Sequence, residues 1–161
     1  MVPFGIAIFC DDIREEIGGK ISLMGIYGHD MQFLGASFPL LIPKLCINIV
    51  ARLPADRPVP QMKFLVYFPG DAEDTPTMSM DFSVPEELQR FEPQADKRPP
   101  PFPDAETVHV LRQHVVVSSI VIQHEGFIRA RMMYGEKRIR LGALKVHSGT
   151  PPANHATALP I

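Results

Sequence analysis

Apolar residues recur at every second position along most of this chain, and nowhere convincingly at the 3.6-residue spacing of a helix. In "TMSMDFSV", Met78, Met80, Phe82 and Val84 share one face, and Thr77, Ser79, Asp81 and Ser83 the other. "LCINIVARL" groups Leu45, Ile47, Ile49, Ala51 and Leu53. "QMKFLVYF" groups Met62, Phe64, Val66 and Phe68. Successive side chains of a strand point to opposite faces, so this pattern specifies half-buried antiparallel strands. Further strands are expected at 3–11, 20–28, 108–122, 126–134 and 137–146. Only "PEELQR", residues 85–90, reads as a helical turn, with Pro85 early and carboxylates in its first turn. Many short strands with Gly and Pro punctuation imply an all-β chain: a single antiparallel β-sandwich, immunoglobulin-like or a related Greek key.

At 161 residues the chain suits one domain. The expected layout is a β-sandwich over 1–147, with a Pro-rich connector at 85–107 and a flexible tail at 148–161. The connector holds prolines 93, 99, 100, 101 and 103, and its Lys97, Pro100 and Pro103 fit a K-x-x-P-x-x-P spacing. A rigid linker suits this stretch better than an adaptor-binding motif. The net charge of −2 gives no basic excess, which disfavours nucleic acid as a partner. No apolar run reaches the ~20 residues of a membrane span. The N-terminus lacks a basic leader and a cleavage site, so the cytoplasm is the expected location. Cys10 and Cys46 both lie in apolar runs and are expected to be buried free thiols.

"GFIRARMMYGEKRIRLGALKV" reads as a hairpin turning at Gly135-Glu136, with Gly first as a type II′ turn requires. That register pairs Tyr134 with Lys137, Met132 with Ile139, and Ala130 with Leu141. The apolar phase shifts after Gly142, which suggests a bulge there. The opposite face then collects Arg129, Arg131, Arg138 and Arg140, with Arg131 directly across from Arg140. Like charges in that position destabilise unless an anion lies beside them. These four arginines are the candidate binding face, for an anionic partner or for a second copy of the chain. With no aromatic residue read on that face, base stacking is unsupported.

The opening "FCDDIREEIGGKISLMGIYG" puts Asp11, Asp12, Glu15 and Glu16 directly after an apolar run. Their expected role is to counter the arginine face. The alternative is a small Ca²⁺-dependent ligand binder or hydrolase that uses 11–16 together with Asp71, Glu73 and Asp74 of the 71–74 turn. Arg14 and Lys20 inside the first cluster argue against metal. Asp11 and Asp12 are adjacent, so they point to opposite faces and cannot form a catalytic pair alone. None of histidines 29, 109, 114, 124, 147 and 155 makes a ligand-spaced pair, and no nucleophile elbow surrounds Ser118-Ser119. No cofactor, metal ligands or catalytic residues are assigned.

The same opening segment resembles that of a family of small bacterial and phage proteins of unknown function. Their pattern runs F-C-D-D-I-R-x-E-x-x-G-K-x-S-L-x-G-x-Y, here from Phe9 to Tyr27. The resemblance implies an all-β domain and a bacterial or phage setting, and supplies no ligand. The function expected from the residues is a non-catalytic binding or assembly module, docking a protein partner or self-associating through a sheet face.

Overall fold

The computed structural model describes residues 1–82, 84–90 and 108–149. They form an all-β architecture of two sheets. Nine strands run in chain order: β1 Phe4–Glu16, β2 Lys20–Ile26, β3 Asp30–Leu34, β4 Leu40–Pro54, β5 Met62–Tyr67, β6 Met78–Phe82, β7 Val108–Ile122, β8 Gly126–Tyr134 and β9 Lys137–Gly149. One helical turn, α1, spans Glu86–Gln89 between β6 and β7, inside the "PEELQR" stretch. The first sheet has the order β2-β1-β4-β7 and the second β3-β9-β8-β5-β6.

Both sheets contribute to one core. Phe9, Leu45, Ile47, Ile49 and Val115 of the first meet Met31, Phe64, Val66, Ile128, Met132, Leu144 and Val146 of the second. Burying each such side chain is worth roughly 1.5–3 kcal/mol, so alternation alone selects the face that turns inward. The alternation slips once in the long β4–β7 pair. Pro43 and Lys44 are both exposed, and the inward set changes from Leu40 and Ile42 to Leu45, Ile47 and Ile49. Across the ladder, between the Ile42–Ile120 and Lys44–Ser118 pairs, Ser119 takes a φ of 56°. The irregularity on one strand therefore meets one on its partner.

Three expectations need correction. The pairing is not wholly antiparallel: β3, which was not among the expected strands, runs parallel to β9 with Asp30 beside Lys145 and Phe33 beside Ser148. The hairpin holds from Tyr134–Lys137 to Arg131–Arg140, but Ala130 then pairs with Gly142, not Leu141. The bulge falls at Leu141 because Gly142 must pass close to β1. A Cβ on Gly142 would sit 3.0 Å from the Ala7 carbonyl oxygen and 3.5 Å from Phe9. Lastly, β9 continues to Gly149, so the tail expected from 148 begins within a strand. The connector from 91 to 107 and the tail beyond 149 lie outside the described residues. No helix among the described residues is long and apolar enough to cross a membrane.

Candidate functional site

The arginine face is the outer face of the second sheet, at its β5–β8–β9 centre. Arg131 stands opposite Arg140, and Met133 opposite Arg138. The carboxylate that serves this face is Glu73, from the turn between β5 and β6. One Glu73 oxygen takes Arg129 Nη1 at 2.5 Å and the other takes Arg138 Nη1 at 2.9 Å. Arg129 also donates to the Asp71 carbonyl at 3.0 Å, and its guanidinium lies 5.0 Å from the Tyr67 ring centroid. That stacking and the two bonds cover Tyr67, which is 1% exposed although it sits on the outer side of β5.

Glu73 is held in place by its own turn. Asp71 Oδ2 accepts from Phe68 N and Thr77 N at 2.8 Å and from Thr77 Oγ1 at 2.7 Å. Burial works to raise the Asp71 pKa, but these donors and Arg129 outweigh it and hold the carboxyl below its ordinary value. Tyr67 Oη ties the loop down further by donating to the Glu73 carbonyl at 3.0 Å.

One carboxylate thus serves two arginines, and two remain. Arg131 donates only to the neighbouring Ala130 carbonyl, at 3.2 Å, and Arg140 has no ion pair among the described residues. Partial burial, together with Arg129 and Arg140, lowers the Arg131 pKa, with Glu73 pulling the other way. Lys63 on β5 extends the cationic surface and pairs with Asp81 at 3.3 Å. The face is also not free of aromatics. Phe127, two residues before Arg129 on the same side of β8, is 52% exposed.

The opening acids do not reach these arginines, because β1 belongs to the other sheet. Asp12 takes Lys44 Nζ at 2.5 Å and Arg14 Nε at 3.5 Å. Those cations, Lys44 foremost, lower its pKa, and a bond from Ile13 N adds to the effect. Glu16 accepts from Ser22 across the β1–β2 hairpin at 2.8 Å. Glu15 is exposed. Asp11 accepts from Tyr27 Oη at 2.5 Å, and burial plus this carboxylate push the Tyr27 phenol well above its ordinary value. Gly25 makes the contact feasible. Its φ of 64° is left-handed, and any Cβ there would collide with the Asp11 carboxylate. The opening segment therefore folds into one constellation: Cys10 buried, Asp11 over Gly25 against Tyr27, and Asp12 against Lys44.

Asp11 and Tyr27 also line a cleft of about 390 Å³ with Asp30, Met31, Gln32, Phe33, Ile42, Pro43 and Lys44. Asp30 accepts from His147 Nε2 at 2.7 Å, and this bond lowers the Asp30 pKa. Neither Asp71 nor Glu73 lines this cleft. Among the described residues no three His, Cys, Asp or Glu side chains are grouped to hold a metal ion. Cys10 and Cys46 are cross-strand partners, both free and fully buried.

The sequence placed the four arginines on one face and paired Arg131 with Arg140, but lost the register at Ala130. Glu73 as the clamp was missed, that residue being weighed only for a Ca²⁺-dependent binder or hydrolase, and so was Lys44 as the partner of Asp12. The spacing within "GDAEDT" fits a turn, but no local signal says which strands will neighbour it. No protein-family model, curated protein or solved structure matches the chain.

Proposed function

We propose that this chain is a non-catalytic binding module, a β-sandwich of immunoglobulin-like or related Greek-key kind acting in the cytoplasm of a bacterial or phage system. It docks an acidic protein segment on the outer face of its second sheet. The observation that carries this reading is the opposed pair Arg131 and Arg140, side by side across the β8–β9 ladder and without an ion pair among the described residues. Two cations so placed repel each other in the free protein, and a carboxylate laid between them would relieve the repulsion while gaining charge-assisted hydrogen bonds. The Glu73 clamp supports the same view. It rigidifies Arg129 and Arg138 beside the pair, so less side-chain entropy is lost on docking.

A polypeptide is favoured over nucleic acid because Phe127 is a single exposed ring at one end of the face, not a row of stacking platforms. The Ca²⁺ or hydrolase alternative loses support where its two acidic segments are engaged separately. Asp71 is consumed by its turn and Glu73 by arginines, while Asp11 faces Tyr27 in a cleft lined by β3 and β4.

The test is fluorescence anisotropy of a labelled polyglutamate peptide against wild type and Arg131→Glu/Arg140→Glu, at low and high salt. Binding by wild type that weakens with salt and is lost in the folded double variant supports the reading. Equal binding by both proteins refutes it. Tighter binding of a labelled oligothymidylate than of the peptide would refute the choice of a protein partner.

A further inference from the structure

The outer face of the first sheet is unlike that of the second. Its rows, read across β2, β1, β4 and β7, interleave large apolar side chains with polar and charged ones. Phe4 lies beside Arg52 and Val110, Ile6 beside Val50 and Arg112, and Ile8 beside Asn48 and His114. Ile26 then continues through Cys10 and Cys46 to Val116; Met24 pairs with Asp12, whose side chain bridges to Lys44, itself opposite Ser118. Six large side chains stand in the open here: Phe4 at 46%, Ile6 at 50%, Met24 at 43%, Ile26 at 58%, Val110 at 48% and Val116 at 55%.

Half of each of these side chains amounts to on the order of 500 Å² of apolar surface, at the upper end of the largest patch a monomer ordinarily shows. Two such faces in contact would remove on the order of 1,000 Å² from these residues alone. Ile8, Val50 and the arginine stems bring the total to the ~1,200 Å² at which stable interfaces begin.

We infer that this face packs against the same face of a second copy of the chain, as a two-fold dimer. Sheet faces stack at about 10 Å with side chains interdigitated, and a two-fold brings the same residues together from both sides. The charges choose between the two orientations. Arg52 and Arg112 occupy one end of the face, and neither has an ion pair among the described residues; Arg52 only leans on Phe4, 5.9 Å from its ring centroid. The carboxylates of the face, Asp12 and Glu16, lie at the other end, with Arg14, Lys20 and Lys44 around them. An axis along the strands would set Arg52 and Arg112 against their own copies. An axis across the strands keeps them off their own copies and sets them over the end that carries Asp12 and Glu16, so the antiparallel arrangement is the less repulsive of the two.

The inference is independent of the arginine face on the second sheet, and the experiment separates them. Sedimentation velocity is run across micromolar concentrations on wild type, Ile6→Glu/Val116→Glu and Arg131→Glu/Arg140→Glu, with circular dichroism as the folding control. The expected result is a wild-type dimer of twice the 18.0 kDa protomer. The dimer should persist in the arginine variant, and its dissociation constant should rise at least about 100-fold in Ile6→Glu/Val116→Glu. If that double variant fails to fold, Ile26→Lys, at the most exposed of the six positions, is read in its place. A wild-type monomer at every concentration overturns the inference, and so does a dimer that a folded face variant leaves intact. Dissociation by the arginine variant alone would place self-association on the other sheet and overturn it equally.

Discussion

Replacing Gly25 by alanine should destabilise the protein through two separable terms. The backbone at Gly25 has φ 64°, a conformation that costs an L-residue about 1–2 kcal/mol. The second term is collision: the new Cβ would fall on the Asp11 carboxylate and within 3.0 Å of Asp11 Cβ. Displacing that carboxylate also breaks its hydrogen bond from Tyr27, whose Oη is then left partly buried without its partner, at about 1–3 kcal/mol. Gly25→Ala alone should therefore lose about 2–5 kcal/mol. In an Asp11→Ala background the hydrogen bond is already gone and most of the colliding atoms are absent, so the same substitution should lose only the backbone term. Urea unfolding of the four proteins, followed by circular dichroism, measures the coupling. A coupling of at least about 1 kcal/mol is expected. Additivity within about 0.3 kcal/mol would show that Asp11 does not lie over Gly25 and that the constellation is wrongly drawn.

Other outcomes follow from the same geometry. Burial, with Cys46 and the nearby aspartates adding to it, pushes the Cys10 thiol up to about 11, so native protein should be inert to a thiol reagent at pH 8 and react fully in urea; rapid native labelling would contradict the burial of the pair. Asp12, Asp30, Asp71 and Glu125 have folded pKa values below their ordinary ones, so the unfolded chain takes up these protons first. Their stabilisation is complete above the ordinary carboxylate range and is lost as pH falls through the depressed folded values. Melting temperature should accordingly drop between about pH 5 and 2. Asp71→Ala, which frees three donors, should cost about 1–3 kcal/mol at neutral pH and flatten that acid slope, whereas an unchanged slope would dismiss Asp71 as a contributor. Melts in EDTA and in Ca²⁺ should coincide, and a rise of several degrees with Ca²⁺ would revive the metal reading.

What the sequence made legible depended on how local the deciding physics was. The Arg131–Arg140 opposition was readable because a tight turn at Gly135 fixes the register of the next few pairs. That register failed at Leu141, where the reason lies in β1: the approach of Gly142 to Ala7 is invisible from the hairpin's own residues. Strand β3 carries a period-two signal in "DMQFL", with Met31 and Phe33 turned inward, but five residues are too few to stand out. Its parallel pairing to β9 is set by a partner more than a hundred residues away. The same non-locality misassigned the counter-charge. Four acids in six positions are conspicuous, yet β1 sits in the first sheet and its acids meet Lys44, Arg14, Tyr27 and Ser22. Glu73 is inconspicuous in sequence and becomes decisive only because β5 lies next to β8. The Phe127 side chain was likewise overlooked, since the face was read from Arg129 onward.

The central claim is that the second sheet's outer face, at Arg131 and Arg140, receives acidic polypeptide. Its most direct measurement is a titration of isotope-labelled protein with unlabelled polyglutamate, followed residue by residue in ¹H–¹⁵N correlation spectra that include the arginine Nε–Hε groups. The largest shifts are expected at the Arg131 and Arg140 side chains and in the β8 and β9 amides around them, with β1 and β2 unmoved. Shifts centred on Lys44, Arg14 and Lys20 of the first sheet, with Arg131 and Arg140 silent, would contradict it.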